Sequence, residues 1–171
     1  METTPSGWQV IDRARGVLTR SYKFSKGGTA MTFVARMGDG RLMVPVGNSI
    51  DRLFGLAVQA DGKILLGGSF TAVGGTARNY VARVTATGAL DASFNPDPNG
   101  SLSSLALEAD GRILLGGNFT TVGGTARNYI ARVNAAGALD VGFNPNANNL
   151  ITSIALLADG RILLGGFFSM V

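Results

Sequence analysis

Residues 60–96 read ADGKILLGGSFTAVGGTARNYVARVTATGALDASFNP, and residues 109–145 read ADGRILLGGNFTTVGGTARNYIARVNAAGALDVGFNP. The two stretches agree at 29 of 37 positions without a gap, so one unit has been duplicated. A third copy opens at Ala158 with ADGRILLGG and runs on as FFSMV to Val171. The offset is 49 residues each time. Self-similarity at such a period marks an array of supersecondary units, each unable to bury its apolar face alone.

One unit reads as four short strands. LAVQ at 56–59 is apolar and is followed by Asp61-Gly62, a type I′ hairpin signal. KILLGGSF at 63–70 is the second strand, TAVGGTARN a longer loop, and YVARVTA at 80–86 an alternating third strand. Thr87-Gly88 turns the chain again, ALDASF at 89–94 is the fourth strand, and Asn95-Pro96 ends it. Four short antiparallel strands per unit are the pattern of a β-propeller blade. Blades stack face to face, so their inner strands read as unbroken apolar runs such as Ile64-Leu65-Leu66. The Gly-Gly pairs at 67–68, 116–117 and 165–166 let neighbouring backbones come close. No stretch holds a helical period, which excludes an α-solenoid. A parallel β-helix is the rival, but hairpins reverse the chain where its coils need parallel stacking. The expected fold is all-β: a propeller-like tandem of four-stranded antiparallel blades in an incomplete ring. Its boundaries are 1–48 for a degenerate blade, 49–98 and 99–147 for two full blades, and 148–171 for a truncated one.

Composition narrows the chemistry. The chain has neither Cys nor His, which excludes disulfides, thiol nucleophiles, thiolate metal sites and imidazole bases. No catalytic residue, metal site or cofactor is expected. No apolar run is long enough to span a bilayer as a helix, and no signal peptide is visible. The net charge of +4 is uneven: residues 1–52 hold eight basic and four acidic side chains, the remainder seven of each. Arg13 to Lys26 is therefore the candidate for a nucleic-acid or anionic-surface footprint, with a solvated arm the plainer expectation.

The order D-G-K-I-L-L-G-G-S-F, then G-G, then R-N-Y-V-A-R-V, then G-A-L-D-A-S-F-N-P resembles the bacterial delta-60 repeat over about residues 50–171. The resemblance implies a β-propeller of unassigned biochemical role, on a secreted or surface protein in a long tandem array. Kelch and WD40 repeats lack support, because their Tyr/Trp and Trp-Asp signatures are missing.

Two ends need explanation. GGTAMTFVARM at 27–37 aligns with GGTARNYVARV, and GDGRLMVPV follows as a hairpin around Asp39-Gly40, so 8–47 reads as a degenerate blade. Strands at about 32–47 are then candidates to complete the last unit. The favoured reading is a fragment of a longer array, part of a larger secreted or surface protein, with two chains pairing through the open blade edge the next.

The candidate binding residues are Arg78, Asn79, Arg127 and Asn128, which recur in the long loops and suit a basic, hydrogen-bonding rim. The plainer reading is that each Arg pins its own loop through backbone carbonyls. Arg83 and Arg132 sit mid-strand, in register for intrablade ion pairs with Asp91 and Asp140. Asp61, Asp110 and Asp159 read as turn residues. The function expected is structural or binding, with a macromolecule or glycan as partner. The alternatives are a hydrolase or lyase using channel carboxylates, and nucleic-acid binding through the basic first segment.

Overall fold

The computed structural model describes residues 53–171 in full. Before them it describes backbone only, at Arg52 and in the strands Gln9–Asp12, Val17–Arg20, Ser25–Lys26, Thr29–Ala30, Arg36–Met37 and Gly40–Arg41, which pair as three successive hairpins. The packing that would make 8–47 a degenerate blade, its part in closing the ring, and the basic side chains from Arg13 to Lys26 lie outside the described residues. Among the described residues the regular structure is all strand.

The first blade has its inner strand at Arg52–Val58, its second at Ile64–Ser69 and its third at Val81–Val84, antiparallel in that spatial order. The second blade repeats this with Leu102–Leu107, Ile113–Gly117 and Ile130–Val133. The third unit holds Ile151–Leu156 and Ile162–Gly166. Each inner strand carries a register shift near its start, at Leu53/Gly55, Leu102/Ser104 and Ile151/Ser153. Such a bulge raises the local twist of the blade.

Three expectations change in detail. The fourth strand at 89–94 shrinks to single bridges, Val84 with Leu90 and Val133 with Leu139. The Asp91 carboxylate accepts the Ser93 N–H, and the Phe94 N–H reaches Asp91 O, so the chain bends before a strand can extend. The Asp61-Gly62 turn is not type I′. Gly62 N–H donates to Gln59 O and Gln59 N–H to Lys63 O, with only Gly62 at positive φ, which is a type I turn closed by a glycine bulge. A type I′-compatible turn stands instead inside the long loop. There Ala72–Val73 pairs with Thr76–Ala77 across Gly74 and Gly75, at φ 58° and 80°, a geometry that non-glycine residues rarely adopt. The second blade repeats it with Gly123 and Gly124.

Blades meet mainly through their first two strands. Leu102–Leu107 packs on both Arg52–Val58 and Ile64–Ser69, and Ile151–Leu156 packs on both Leu102–Leu107 and Ile113–Gly117. One core lies between the first two blades, with Leu65, Val81 and Phe94 against Leu102, Ile113, Leu115 and Val133. Another joins Ile130 and Tyr129 to Ile151, Ile154 and Leu164. Each large apolar side chain so buried contributes roughly 1.5–3 kcal/mol. The paired glycines make this approach possible. A Cβ on Gly67 would sit 2.8 Å from Leu105 Cδ2, and one on Gly116 would sit 2.8 Å from Ile151 Cγ2.

Candidate functional site

The loop between the second and third strands carries Arg78 and Asn79, and 49 residues later Arg127 and Asn128. Its Gly-Gly hairpin projects an exposed tip, Gly74–Ala77 in the first blade and Gly123–Ala126 in the second. Directly behind the tip the Arg78 guanidinium donates to Ala77 O (2.8 Å) and Ala92 O (3.0 Å). Arg127 repeats this with Ala126 O (2.7 Å) and Val141 O (3.0 Å). Each arginine thus staples its hairpin to the turn that follows the third strand. Their Nε atoms are buried and unpaired.

Asn79 and Asn128 look the other way, toward the interblade connection. Asn79 Nδ2 donates to Asp97 Oδ1 at 2.9 Å, and Asn128 Nδ2 to Asn146 Oδ1 at 2.8 Å. The four sequence-predicted residues are thereby placed in two equivalent lattices, one per blade. Each side chain has at least one partner within the chain.

Sequence reasoning missed two features of this region. Tyr80 and Tyr129 precede the third strands at φ 61° and 63°, a left-handed conformation costing about 1–2 kcal/mol for a bulky side chain. Backbone bonds hold them: Tyr80 N–H donates to Phe70 O, and Tyr80 O accepts from Gly68 N–H. The second is a pair of clamps in the linkers. Asn99 Oδ1 accepts from Thr120 and Thr121 N–H while its Nδ2 donates to Thr120 Oγ1. Asn148 does the same to Ser169 and Met170. Their spacing of 49 residues was the available signal.

The mid-strand arginines form the expected pairs. Arg83 Nε lies 3.0 Å from Asp91 Oδ2, and Arg132 Nε lies 2.8 Å from Asp140 Oδ2. Each guanidinium also stacks on a ring, Phe94 at 4.6 Å and Phe143 at 4.5 Å. Arg83 additionally donates to Ala135 O of the next blade, tying the two together. Arg132 faces Glu108 at 3.6 Å on its other side.

These contacts set the charge states. The Ser93 hydroxyl and N–H, with Arg83 beside them, hold the Asp91 carboxyl down at about 2. Asp140 is lowered by its Arg132 hydrogen bond and by Gly142 N–H, with no hydroxyl to match Ser93. Asp61 and Asp110 are lowered by the backbone N–H of Lys63 and Arg112. Carboxylates so held stay ionised at neutral pH, the reverse of what a general acid needs. Among the described residues no group of three or more acidic side chains is arranged to hold a metal ion. No described helix is long and apolar enough to cross a membrane.

Repeated antiparallel units of three strands and a bridge, packed on one another through their first two strands, are the fold of a β-propeller repeat in an incomplete ring. Residues 59–94 and 108–143 match the family described as Domain of unknown function (DUF5122) beta-propeller. Each matched segment runs from the turn after the inner strand to the phenylalanine beneath the mid-strand arginine, so the inner strands Arg52–Val58 and Leu102–Leu107 lie just before the matches. No curated protein matches the chain.

Proposed function

We propose that this chain is a non-catalytic propeller scaffold that presents its rim loops to a macromolecule or glycan. The observation that carries the reading is the pair of equivalent loops, each stapled by Arg78 or Arg127 and projecting an exposed Gly-Gly hairpin tip. Two rigid tips in the same setting suit a ligand that is itself repetitive, such as an oligosaccharide. The low-lying carboxylates, each engaged by a hydrogen-bond donor or a cation, support binding over hydrolysis. The delta-60 likeness of the repeat supports the same reading, and it suggests an extracellular or surface setting.

The test is an oligosaccharide array probed with the chain and with Thr76→Glu/Thr125→Glu, whose changes sit on the exposed tips. The reading expects a ligand whose affinity falls at least tenfold in the variant while Tm stays unchanged. Binding untouched by both substitutions contradicts it, and an array without a ligand contradicts a glycan as the partner.

A further inference from the structure

Asn99-Gly100 is the only Asn-Gly pair in the sequence, and it stands in the linker between the two full blades. Each half of the pair has its own physical reason. A Cβ on residue 100 would overlap the Asn118 carbonyl oxygen, so the close approach of the linker to the second blade demands glycine there. The asparagine makes the clamp. Its Oδ1 accepts from Thr120 N–H at 2.8 Å and from Thr121 N–H at 3.0 Å, and its Nδ2 donates to Thr120 Oγ1 at 2.9 Å.

Two backbone N–H groups converging on one carbonyl oxygen are the arrangement that stabilises a tetrahedral oxyanion. The oxygen here belongs to a carboxamide whose carbon is open to attack by the next main-chain nitrogen. That nitrogen is Gly100 N, which has no side chain beside it to hinder ring closure and no hydrogen-bond acceptor among the described residues. The Thr120 hydroxyl lies next to the amide nitrogen that would leave, within reach to pass it a proton. The clamp at Asn148 supplies a comparison within the chain. Ser169 N–H (3.0 Å) and Met170 N–H (3.2 Å) meet its Oδ1, and its Nδ2 donates to Ser169 Oγ (3.0 Å). The next residue there is Asn149, whose side chain crowds the main-chain nitrogen.

We propose that Asn99 is a self-modification site, at which the folded chain promotes cyclisation of Asn99 onto Gly100. Gly100 N attacks Asn99 Cγ, and the Thr120 and Thr121 N–H groups hold the oxyanion that forms. The Cγ–Nδ2 bond then breaks. The Gly100 proton passes through water to the departing nitrogen, which leaves as ammonia. Water next opens the five-membered imide at either carbonyl and leaves aspartate or isoaspartate at position 99. No electrons are exchanged with a third party. Aspartate keeps an acceptor for both N–H groups. Isoaspartate moves one carbon from the side chain into the main chain, so its carboxylate no longer reaches them. The linker then releases the loop that leads into the second hairpin tip. The site is independent of whichever ligand the rim loops take.

The experiment incubates the intact chain in warm, mildly alkaline buffer and follows Asn99 and Asn148 by peptide mapping and mass spectrometry. The same chain in denaturing urea keeps the sequence but loses the donor pair, and so gives the reference rate. Asn99 should convert at least tenfold faster folded than in urea, while Asn148 stays intact in the folded chain. Thr120→Val keeps both N–H donors and loses the hydroxyl; it should slow conversion of the folded chain at least threefold and leave the urea rate unchanged. Amide exchange at Thr121–Ala126 should quicken in the isoaspartate fraction. Conversion as fast or faster in urea would overturn the proposal, because the clamp would then protect the amide. Equal conversion at Asn148 in the folded chain would overturn the part assigned to Gly100.

Discussion

Leu114→Ala and Leu163→Ala remove the same atoms from the same repeat position, yet they should differ several-fold in cost. Leu114 is 0 % exposed and Leu163 is 54 % exposed. Truncating an enclosed leucine loses its transfer free energy and leaves a cavity, together about 2–5 kcal/mol. Leu163 has surrendered only about half of its hydration and has solvent on one side, so no cavity forms and the loss is about 1 kcal/mol or less. For a chain of this size each kcal/mol moves Tm by roughly 2–4 °C. Leu114→Ala should therefore lower Tm by roughly 4–20 °C, and Leu163→Ala by roughly 4 °C at most. Urea unfolding of the two variants beside the parent, with unchanged slopes, gives the free energies directly. Equal losses at the two positions would refute the reasoning, because they would mean that the third unit is as fully covered as the second.

The glycines of the second blade separate steric from conformational demand. Gly124→Ala should cost about 1–2 kcal/mol through its φ of 77° alone, since nothing lies within 4 Å of its Cβ position. Gly117→Ala should cost more, because its Cβ would lie 2.2 Å from the Ser101 carbonyl oxygen; a smaller loss there, by urea unfolding, contradicts the close approach. Acid should act through Asp91. Its folded value of about 2 lies below its ordinary 3.8, so its stabilisation is present above about pH 4 and is lost as pH falls from there through 2. That contribution is at most roughly 2 kcal/mol. Ser93→Ala, which removes the largest cause of the lowering, should destabilise at pH 6, and its gap from the parent should narrow steadily as pH falls from 4 to 2. A gap of constant size between pH 4 and pH 2 counts against the linkage.

The repeat made the blade legible, because a 49-residue offset and near-identity leave little freedom for the architecture. The Arg83–Asp91 and Arg132–Asp140 pairs were legible too, since a buried mid-strand cation needs an anion within reach. The close approach at Gly67 and Gly116 followed from glycine at a strand end. Other features depend on competing local bonds that composition does not rank. Asp61-Gly62 favours a type I′ turn by statistics, yet Asp61 Oδ1 accepts the Lys63 N–H and the turn settles as type I with a bulge. ALDASF alternates like a strand, but the Asp91 side chain captures Ser93 and folds Phe94 back beneath Arg83. Left-handed Tyr80 and Tyr129 carry no local signal at all, since only tertiary backbone bonds impose that conformation. At the candidate site, the recurrence of Arg78 and Arg127 was legible, and so was the carbonyl staple offered as the plainer reading. The partners of Asn79 and Asn128 were not, because they lie 18 residues away in the linkers.

The central claim is that consecutive units stack as blades, with the second strand of one against the inner strand of the next. A Cβ placed on Gly67 lies 3.6 Å from Leu102 Cβ, within the range that a disulfide spans. The chain has no cysteine of its own, so Gly67→Cys/Leu102→Cys reports on that one contact. Mild oxidation should close the bond nearly completely, seen as a thiol-dependent shift on non-reducing gels and as the linked peptide by mass spectrometry. The pair Gly74→Cys/Leu102→Cys, with nothing near the Gly74 Cβ position, should stay reduced. A folded Gly67→Cys/Leu102→Cys chain that stays reduced would contradict the blade-on-blade account.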